Sequence, residues 1–259
     1  MTLKILAIGD VTSQRGVSYL EEKLWGIRKA WGIDFCVVNG ENASFISGIS
    51  EPLAERLFAA GADVITGGNH TLYNRAAYTY LDDTSAILRP INFVGEAPGH
   101  GYTILDGAGY RILVINAMGR VHIEPLLDSP YPYIDRVLAE CRGKYDFSVL
   151  DFHAEATGEK LALAHAYDGK INVIFGTHTH VATADEQILP KGTGYITDIG
   201  MCGAVNGILG MKTECVVERM RTSLPKKFEE ATGEIRACGA VFTLDTRMGG
   251  VTSVKRISF

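Results

Sequence analysis

The sequence predicts one α/β domain with much parallel sheet, and three observations carry that prediction. Short apolar runs alternate with segments of helical periodicity along the chain. Five of the apolar runs end in a compact polar cluster rich in Asp, Asn, Glu or His. No interdomain linker, internal repeat or low-complexity segment interrupts the pattern, so residues 1–259 form a single domain.

Leu3 to Ile8 is a buried strand that ends in Gly9-Asp10. Val17 to Ala30 is helical, with Leu20, Leu24, Ile27 and Trp31 at helical spacing. Phe35 to Val38 is a second buried strand, ending in Asn39-Gly-Glu-Asn42. Glu51 to Ala60 is a helix with Pro52 suited to its first turn. Val64 to Thr66 is a strand that ends in Gly67-Gly-Asn-His70, and a helix covers Tyr73 to Leu81. Tyr102 to Leu105 and Tyr110 to Asn116 pair around Asp106-Gly107. Glu124 to Tyr133, with three prolines, is a loop before a helix over Ile134 to Cys141. Phe147 to Leu150 is a strand ending in Asp151-Phe-His153, then Glu159 to Tyr167 is helical. Val173 to Phe175 is a strand ending in Gly176-Thr-His-Thr-His180. Gly194 to Thr197, a helix near Lys212 to Met220, and two strands flanking Arg247-Met-Gly-Gly250 complete the chain.

Composition narrows the function classes. A net charge of −5 argues against binding long nucleic acid, which needs a basic face. A small nucleotide stays open, because bound cations can supply positive charge locally. The five cysteines form no CxxC, which disfavours a disulfide framework or structural zinc and fits a reducing, cytoplasmic setting. Ile5 to Ile8 is too short for a signal-peptide core, and no run approaches the ~20 apolar residues of a membrane span. The uncharged stretch Ile199 to Met211 reads as a buried loop. No membrane partner is expected, and the oligomeric state, a homo-oligomer included, is open.

The five clusters carry the chemistry. Ligands of α/β sheets bind at the carboxyl ends of strands, so clusters distant in sequence can converge there. Asp10, Glu41, Asn69, His153, His178 and His180 together offer carboxylate, imidazole and amide oxygen, donors that suit Zn, Mn or Fe(II). Glu41 can bridge two cations, and two cations can clamp a phosphate. Each piece alone has a plainer role: Asp10 or Asn69-His70 as helix caps, Asn39-Gly40 as a hairpin turn, His153 as a core histidine. In an extended segment, His178-Thr-His180 would put both imidazoles on one face. The joint occurrence at five strand ends outweighs these roles. His165 reads as surface or packing, and His100 and His122 as loop residues. Lys226-Lys227 reads as a solvated helix face, and Cys202 as a structural loop thiol.

The motif order resembles that of the calcineurin-like metallophosphoesterases: GD, an acidic cluster, GNH, a lone His, then GHxH. Two departures stand out, Thr12 where DxH would have its histidine and Glu41 in place of the bridging aspartate. They match a narrower group, the bacterial 2′,3′-cyclic-nucleotide 2′-phosphodiesterase family. The matching stretches include Asn39-Gly-Glu-Asn-Ala43, Gly68-Asn-His-Thr71, Asp151-Phe-His-Ala-Glu-Ala-Thr157 and Tyr195-Ile-Thr-Asp-Ile-Gly-Met201. The resemblance spans most of the chain. It implies a four-layer α/β/β/α sandwich of metallophosphoesterase type and two divalent or trivalent metal ions, iron foremost, with manganese or zinc as alternatives. It places Asp10, Glu41, Asn42 and His180 on one metal, and Glu41, Asn69, His153 and His178 on the other, with His70 as general acid. The implied reaction is hydrolysis of 2′,3′-cyclic nucleotides to 3′-nucleotides through a metal-bridging hydroxide. The residues after these motifs, Thr12 to Gly16, Leu72-Tyr-Asn74 and Cys202-Gly-Ala-Val205, diverge and leave substrate preference open. A broader phosphodiesterase or phosphatase is one alternative. A regulatory binding protein with incidental hydrolysis is the other.

Overall fold

The computed structural model describes residues 1–259 and contains two sheets packed face to face with helices outside. The chain begins with β1 (Thr2–Ile8), β2 (Asp10–Val11), α1 (Ser13–Trp31), β3 (Phe35–Asn39), α2 (Glu51–Ala60) and β4 (Val64–Thr66). A short 3-10 turn at Arg75–Ala77 leads into α3 (Tyr78–Asp83) and β5 (Ile87–Leu88). Next come β6 (Tyr102–Gly107), β7 (Tyr110–Met118), α4 (Pro130–Glu140), β8 (Phe147–His153), α5 (Thr157–Ala166) and β9 (Val173–Thr177). The last third holds β10 (Gln187–Ile188), β11 (Gly194–Ile196), β12 (Met201–Ala204), α6 (Thr213–Thr222), β13 (Ile235–Asp245) and β14 (Val251–Ser258).

The first sheet runs β2-β12-β13-β1-β3-β4-β5, with β14 also paired to β13. Its β1, β3, β4 and β5 are mutually parallel. The second sheet runs β10-β11-β9-β8-β7-β6, and β7, β8, β9 and β11 are parallel. Parallel strands are covered on both faces, which is why they read as unbroken apolar runs. The pleat then divides each run between two cores. In β1, Leu3, Ile5 and Ala7 enter the core between the sheets, while Leu6 and Ile8 pack toward α1 and α2. In β7, Ile112 and Val114 face the central core, and Leu113 and Ile115 face the side covered by α4 and α5. The result is the α/β/β/α sandwich.

Helix ends follow local rules. Gly32 at φ 63° and Gly61 at φ 114° take the left-handed conformation that closes α1 and α2. Helix α4 starts at Pro130, not Ile134, because Pro130 and Pro132 sit in its first turn, where no N–H partner is needed. Four other expectations change. Tyr73 to Leu81 is helical only from Arg75, because Asn74 caps the 3-10 turn by accepting from Ala76 N–H. The turn between β6 and β7 falls at Ala108-Gly109, both at positive φ, rather than at Asp106-Gly107. The stretch Ile199 to Met211 contains β12, where Cys202 is wholly buried. Lys226-Lys227 is exposed but lies on irregular chain beyond α6. No helix is long and apolar enough to cross a membrane.

The central core between the two sheets holds fully buried aromatic side chains away from the polar clusters. Phe242 is fully buried there, with its ring centroid 6.4 Å from that of Phe175. Phe242→Ala should cost about 3–5 kcal/mol through lost burial and the cavity left behind. Thermal unfolding should shift down by roughly 10 °C. A shift under about 2 °C would mean that the two sheets repack without it.

Candidate metal centre

The five polar clusters meet at one end of the sandwich because the carboxyl ends of β1, β3, β4, β8 and β9 lie together. Bonds between the two sheets record the convergence. Asn39 Nδ2 donates to Asp151 Oδ2 at 3.0 Å, Gly67 N–H donates to Asn116 Oδ1 at 3.1 Å, and His178 N–H donates to Asp10 Oδ2 at 3.1 Å. Gly68 lies so close to the His153 ring that a Cβ there would collide with it. The plainer roles fall away. Asp10 sits in β2 and caps no helix, Asn39 bonds across the sheets, and no helix begins at Asn69 or His70. His165 is exposed on α5, and neither His100 nor His122 lines the cleft at the site.

Two donor groups share Glu41. One is Glu41, His153 and His178, and the other is Asp10, Glu41 and His180. Hydrogen bonds fix which ring nitrogen is bare. Thr177 Oγ1 donates to Asp151 Oδ1 at 2.7 Å, so it accepts from His153 Nδ1 at 2.9 Å and leaves Nε2 without a proton. His178 Nε2 faces Glu155 Oε2 at 3.1 Å and donates to it, which leaves Nδ1 bare. The two bare nitrogens, His153 Nε2 and His178 Nδ1, face each other at 3.2 Å. Asn69 Oδ1 lies 2.9 Å from His153 Nε2, and Glu41 Oε1 lies 3.6 Å from it. Four lone-pair donors thus converge with no proton to join them, an arrangement that a cation resolves.

The second group has the same character. His180 Nδ1 donates to the Leu209 carbonyl at 3.3 Å, so its Nε2 points inward, 3.7 Å from Asp10 Oδ1. Asp10 Oδ1 is buried and has no hydrogen-bond partner, and neither has Asn42 Oδ1. Asn42 presents its Nδ2 to Glu41 at 2.6 Å and to His180 at 3.2 Å. A half-turn of that amide exchanges its two atoms and aims Oδ1 at the cluster. The expectation of an extended His178-Thr-His180 is overturned. His178 has φ 100° and His180 φ 64°, so the pair is left-handed, and the two rings enter different groups.

Burial and mutual repulsion set the charges. Burial, with Glu41 and Asp198 nearby, pushes the Asp10 carboxyl well above its usual range. Burial also pushes Glu41 up, but His153 and His70 outweigh it and hold Glu41 down to about 2. Burial pushes His153, His178 and His180 below their usual range, which favours the neutral form that can coordinate. His70 stands apart from the donor set: it lines the cleft, its Nδ1 lies 3.0 Å from Glu41 Oε1, and its N–H donates to Glu41 Oε2 at 2.9 Å.

Several supporting residues were not singled out by sequence reasoning. Asp151 and Thr177 set the His153 tautomer. Lys160, buried on α5, pairs with Asp198 at 2.7 Å, and Asp198 Oδ2 accepts from the Thr179 hydroxyl at 2.8 Å. That pair pins the residue between the two histidines. Asp151 and Asp198 lie in conspicuous motifs, whereas a lysine in a helix carries no such signal. Thr177→Val keeps the shape but removes the acceptor for His153 Nδ1–H. Loss of an outer partner of this kind typically weakens metal binding ~10–100-fold. Competition with a chelator should show that drop, and wild-type affinity would remove Thr177 from the support of His153.

Comparison with known proteins identifies the family. The profile of the family described as "YmdB-like protein" matches residues 6–257. The 2′,3′-cyclic-nucleotide 2′-phosphodiesterase of Bacillus subtilis (strain 168) is 40% identical over 255 residues, covering 98% of this chain and 96% of that protein. A crystal structure from Thermus thermophilus, described as a hypothetical protein, superposes with a TM-score of 0.91 at 35% identity, covering 99% of both chains. A crystal structure described as a novel phosphatase, from Mycoplasma pneumoniae, superposes with a TM-score of 0.92 at 29% identity, covering 100% of this chain and 94% of that one. On the strength of a match that runs nearly end to end, the chain belongs to the YmdB-like protein family.

Proposed function

We propose that the chain is a two-cation phosphodiesterase that opens 2′,3′-cyclic nucleotides to 3′-nucleotides. The observation that carries this reading is the pair of donor groups sharing the buried Glu41, with Asp10 Oδ1 of the second group buried and unpartnered. The Bacillus subtilis relative supports the substrate class. Asp10, Glu41, Asn42 and His180 would hold one cation, and Glu41, Asn69, His153 and His178 the other. Iron leads, and manganese or zinc suits the same imidazole, carboxylate and amide donors. When bound, the cations supply Lewis-acid charge to the phosphoryl oxygens and a water acidified toward neutral pH.

The chain's own residues do the rest. His70 is the general acid. Its Nδ1 faces Glu41 Oε1 at 3.0 Å and its Nε2 faces the Asn69 amide nitrogen at 3.2 Å, which holds the ring beside both donor groups and in the cleft. Water adds to phosphorus, the P–O2′ bond breaks, and the proton from His70 neutralises the departing O2′. Glu155 and Thr177 hold His178 and His153 in the coordinating tautomers throughout. A cleft of ≈ 260 Å³ suits a mononucleotide. All five cysteines are free thiols, which supports a cytoplasmic setting.

Two measurements test the reading. Elemental analysis should find two ions in the wild type, about one in His180→Ala, and fewer than one in Glu41→Gln, because only Glu41 serves both groups. Equal losses in the two variants would break the shared-ligand assignment. His70→Ala should keep its metal while turnover of 2′,3′-cyclic AMP falls about 10²–10⁴-fold. Unchanged turnover in metal-loaded protein would take the acid role away from His70.

A further inference from the structure

The cleft has two kinds of wall. Its lining is polar on the side of the donor groups, with Glu41, Asn42, His70, His178 and His180 as the floor, and carries four apolar side chains besides, Phe45, Ile46, Leu209 and Met211, here called the rim. Hydrolysis of a phosphodiester explains the floor and leaves the rim without a purpose. Leu209 is 42% exposed, an apolar side chain left open to water beside a polar centre.

We propose that the rim is a nucleobase slot, with Phe45 and Ile46 on one wall and Leu209 and Met211 on the other. It clasps the base of a nucleoside cyclic phosphate whose phosphate rests on the floor. The inference rests on the phosphodiesterase reading and adds the base as a recognised group.

The backbone holds these side chains in place against its own preference. Phe45, Ile46 and Leu209 have φ 49°, 60° and 54°, a conformation that bulky residues rarely adopt without tertiary support. The support is visible. Phe45 N–H donates to the Asn42 carbonyl at 2.9 Å, and Ser44 N–H donates to the Gly48 carbonyl at 2.9 Å. Gly48 packs so tightly on the His70 and Thr71 carbonyls that a Cβ would meet them at 2.7 and 3.0 Å. On the other wall, Ile208 and Met211 exchange backbone bonds of 2.8 and 2.9 Å, which sets Leu209 at the tip of a tight turn. The Leu209 carbonyl accepts from His180. Each wall is therefore tied to a floor residue, one through Asn42 and the other through His180.

The lining chemistry selects the occupant. Every base has a flat π-face that stacks on an aromatic side chain such as Phe45, whereas a simple polyol such as glycerol has none. No lysine or arginine lines the cleft, so it offers nothing for a second phosphate or a longer anionic backbone. A nucleoside bearing one phosphate fits both walls.

Kinetics on 2′,3′-cyclic AMP and on base-free glycerol 1,2-cyclic phosphate test the slot in metal-loaded protein. For Phe45→Ala and Leu209→Ala, kcat/KM should fall on the order of tenfold more for the nucleotide than for the base-free ester. Leu209 is exposed, so its variant keeps the test standing if the Phe45 variant fails to fold. Equal falls on the two substrates would overturn the slot. Wild-type protein inactive on both esters would instead overturn the phosphodiesterase reading. In that event, calorimetric titration decides the slot separately: tighter binding of adenosine 3′-phosphate than of glycerol phosphate, lost in Leu209→Ala, supports it, and equal binding ends it.

Discussion

The site depends on one buried carboxylate that is not among the proposed metal ligands. Asp151 is wholly buried on β8 and accepts from three side chains: Asn39 on β3, Thr66 on β4 and Thr177 on β9. The first two belong to one sheet and the third to the other. Hydrogen bonds to an ionised acceptor are about twice as strong as neutral ones, and three directions at once fix position as well as energy. Burial still pushes Asp151 up to about 6, so the group is held against its solvation preference by the bonds it receives. It locks the carboxyl ends of both sheets in register, and through Thr177 it chooses the tautomer of His153. Fold and donor geometry meet in that one group.

The same economy explains the His178-Thr-His180 segment. Two histidines that serve different groups must diverge, and left-handed backbone at both residues makes them diverge. Such backbone is costly outside glycine and persists only where surroundings over-determine it. Here Asp198 accepts from the backbone N–H and hydroxyl of Thr179 and from Gly200 N–H, while Lys160 balances its charge. Removing either member would leave the other charge buried and unpaired, so the pair is more valuable for geometry than for net stability.

These two networks also mark how far the sequence could be read. The parallel strands were legible because burial on both faces makes them continuous apolar runs. The donors were legible because they sit two to five residues beyond those runs. What escaped was nonlocal. Lys160 lies on the covered face of α5 beside Leu163 and Ala164, where periodicity alone predicts an apolar residue, and only its contact with Asp198 makes it tolerable. Strand β12 escaped because its Met201–Ala204 run is short and glycine-bearing, and its pairing with β2 and β13 is long-range. The handedness of the backbone at Phe45, Ile46 and Leu209 escaped because none is a residue type that announces positive φ.

Thr12 shows how a departure in sequence becomes a consequence of packing. Where a related motif would carry a histidine, Thr12 is buried and donates its hydroxyl to the Cys202 carbonyl at 3.2 Å. That carbonyl belongs to β12, which pairs in parallel with β2 directly beside Asp10. Gly203 and Gly210 crowd the same hydroxyl, and a Cβ at Gly203 would collide with it. The hydroxyl of residue 12 is thus packed against β12 and the Leu209 turn at the edge of the cleft. The Leu209 carbonyl of that turn also accepts from His180. In the proposed site, the donor missing at position 12 is made up from the other side by Asn42, adjacent in sequence to the shared Glu41. Thr12, β12 and the Leu209 turn are therefore one packing unit, and it sets the position of Asp10 and the orientation of His180 together.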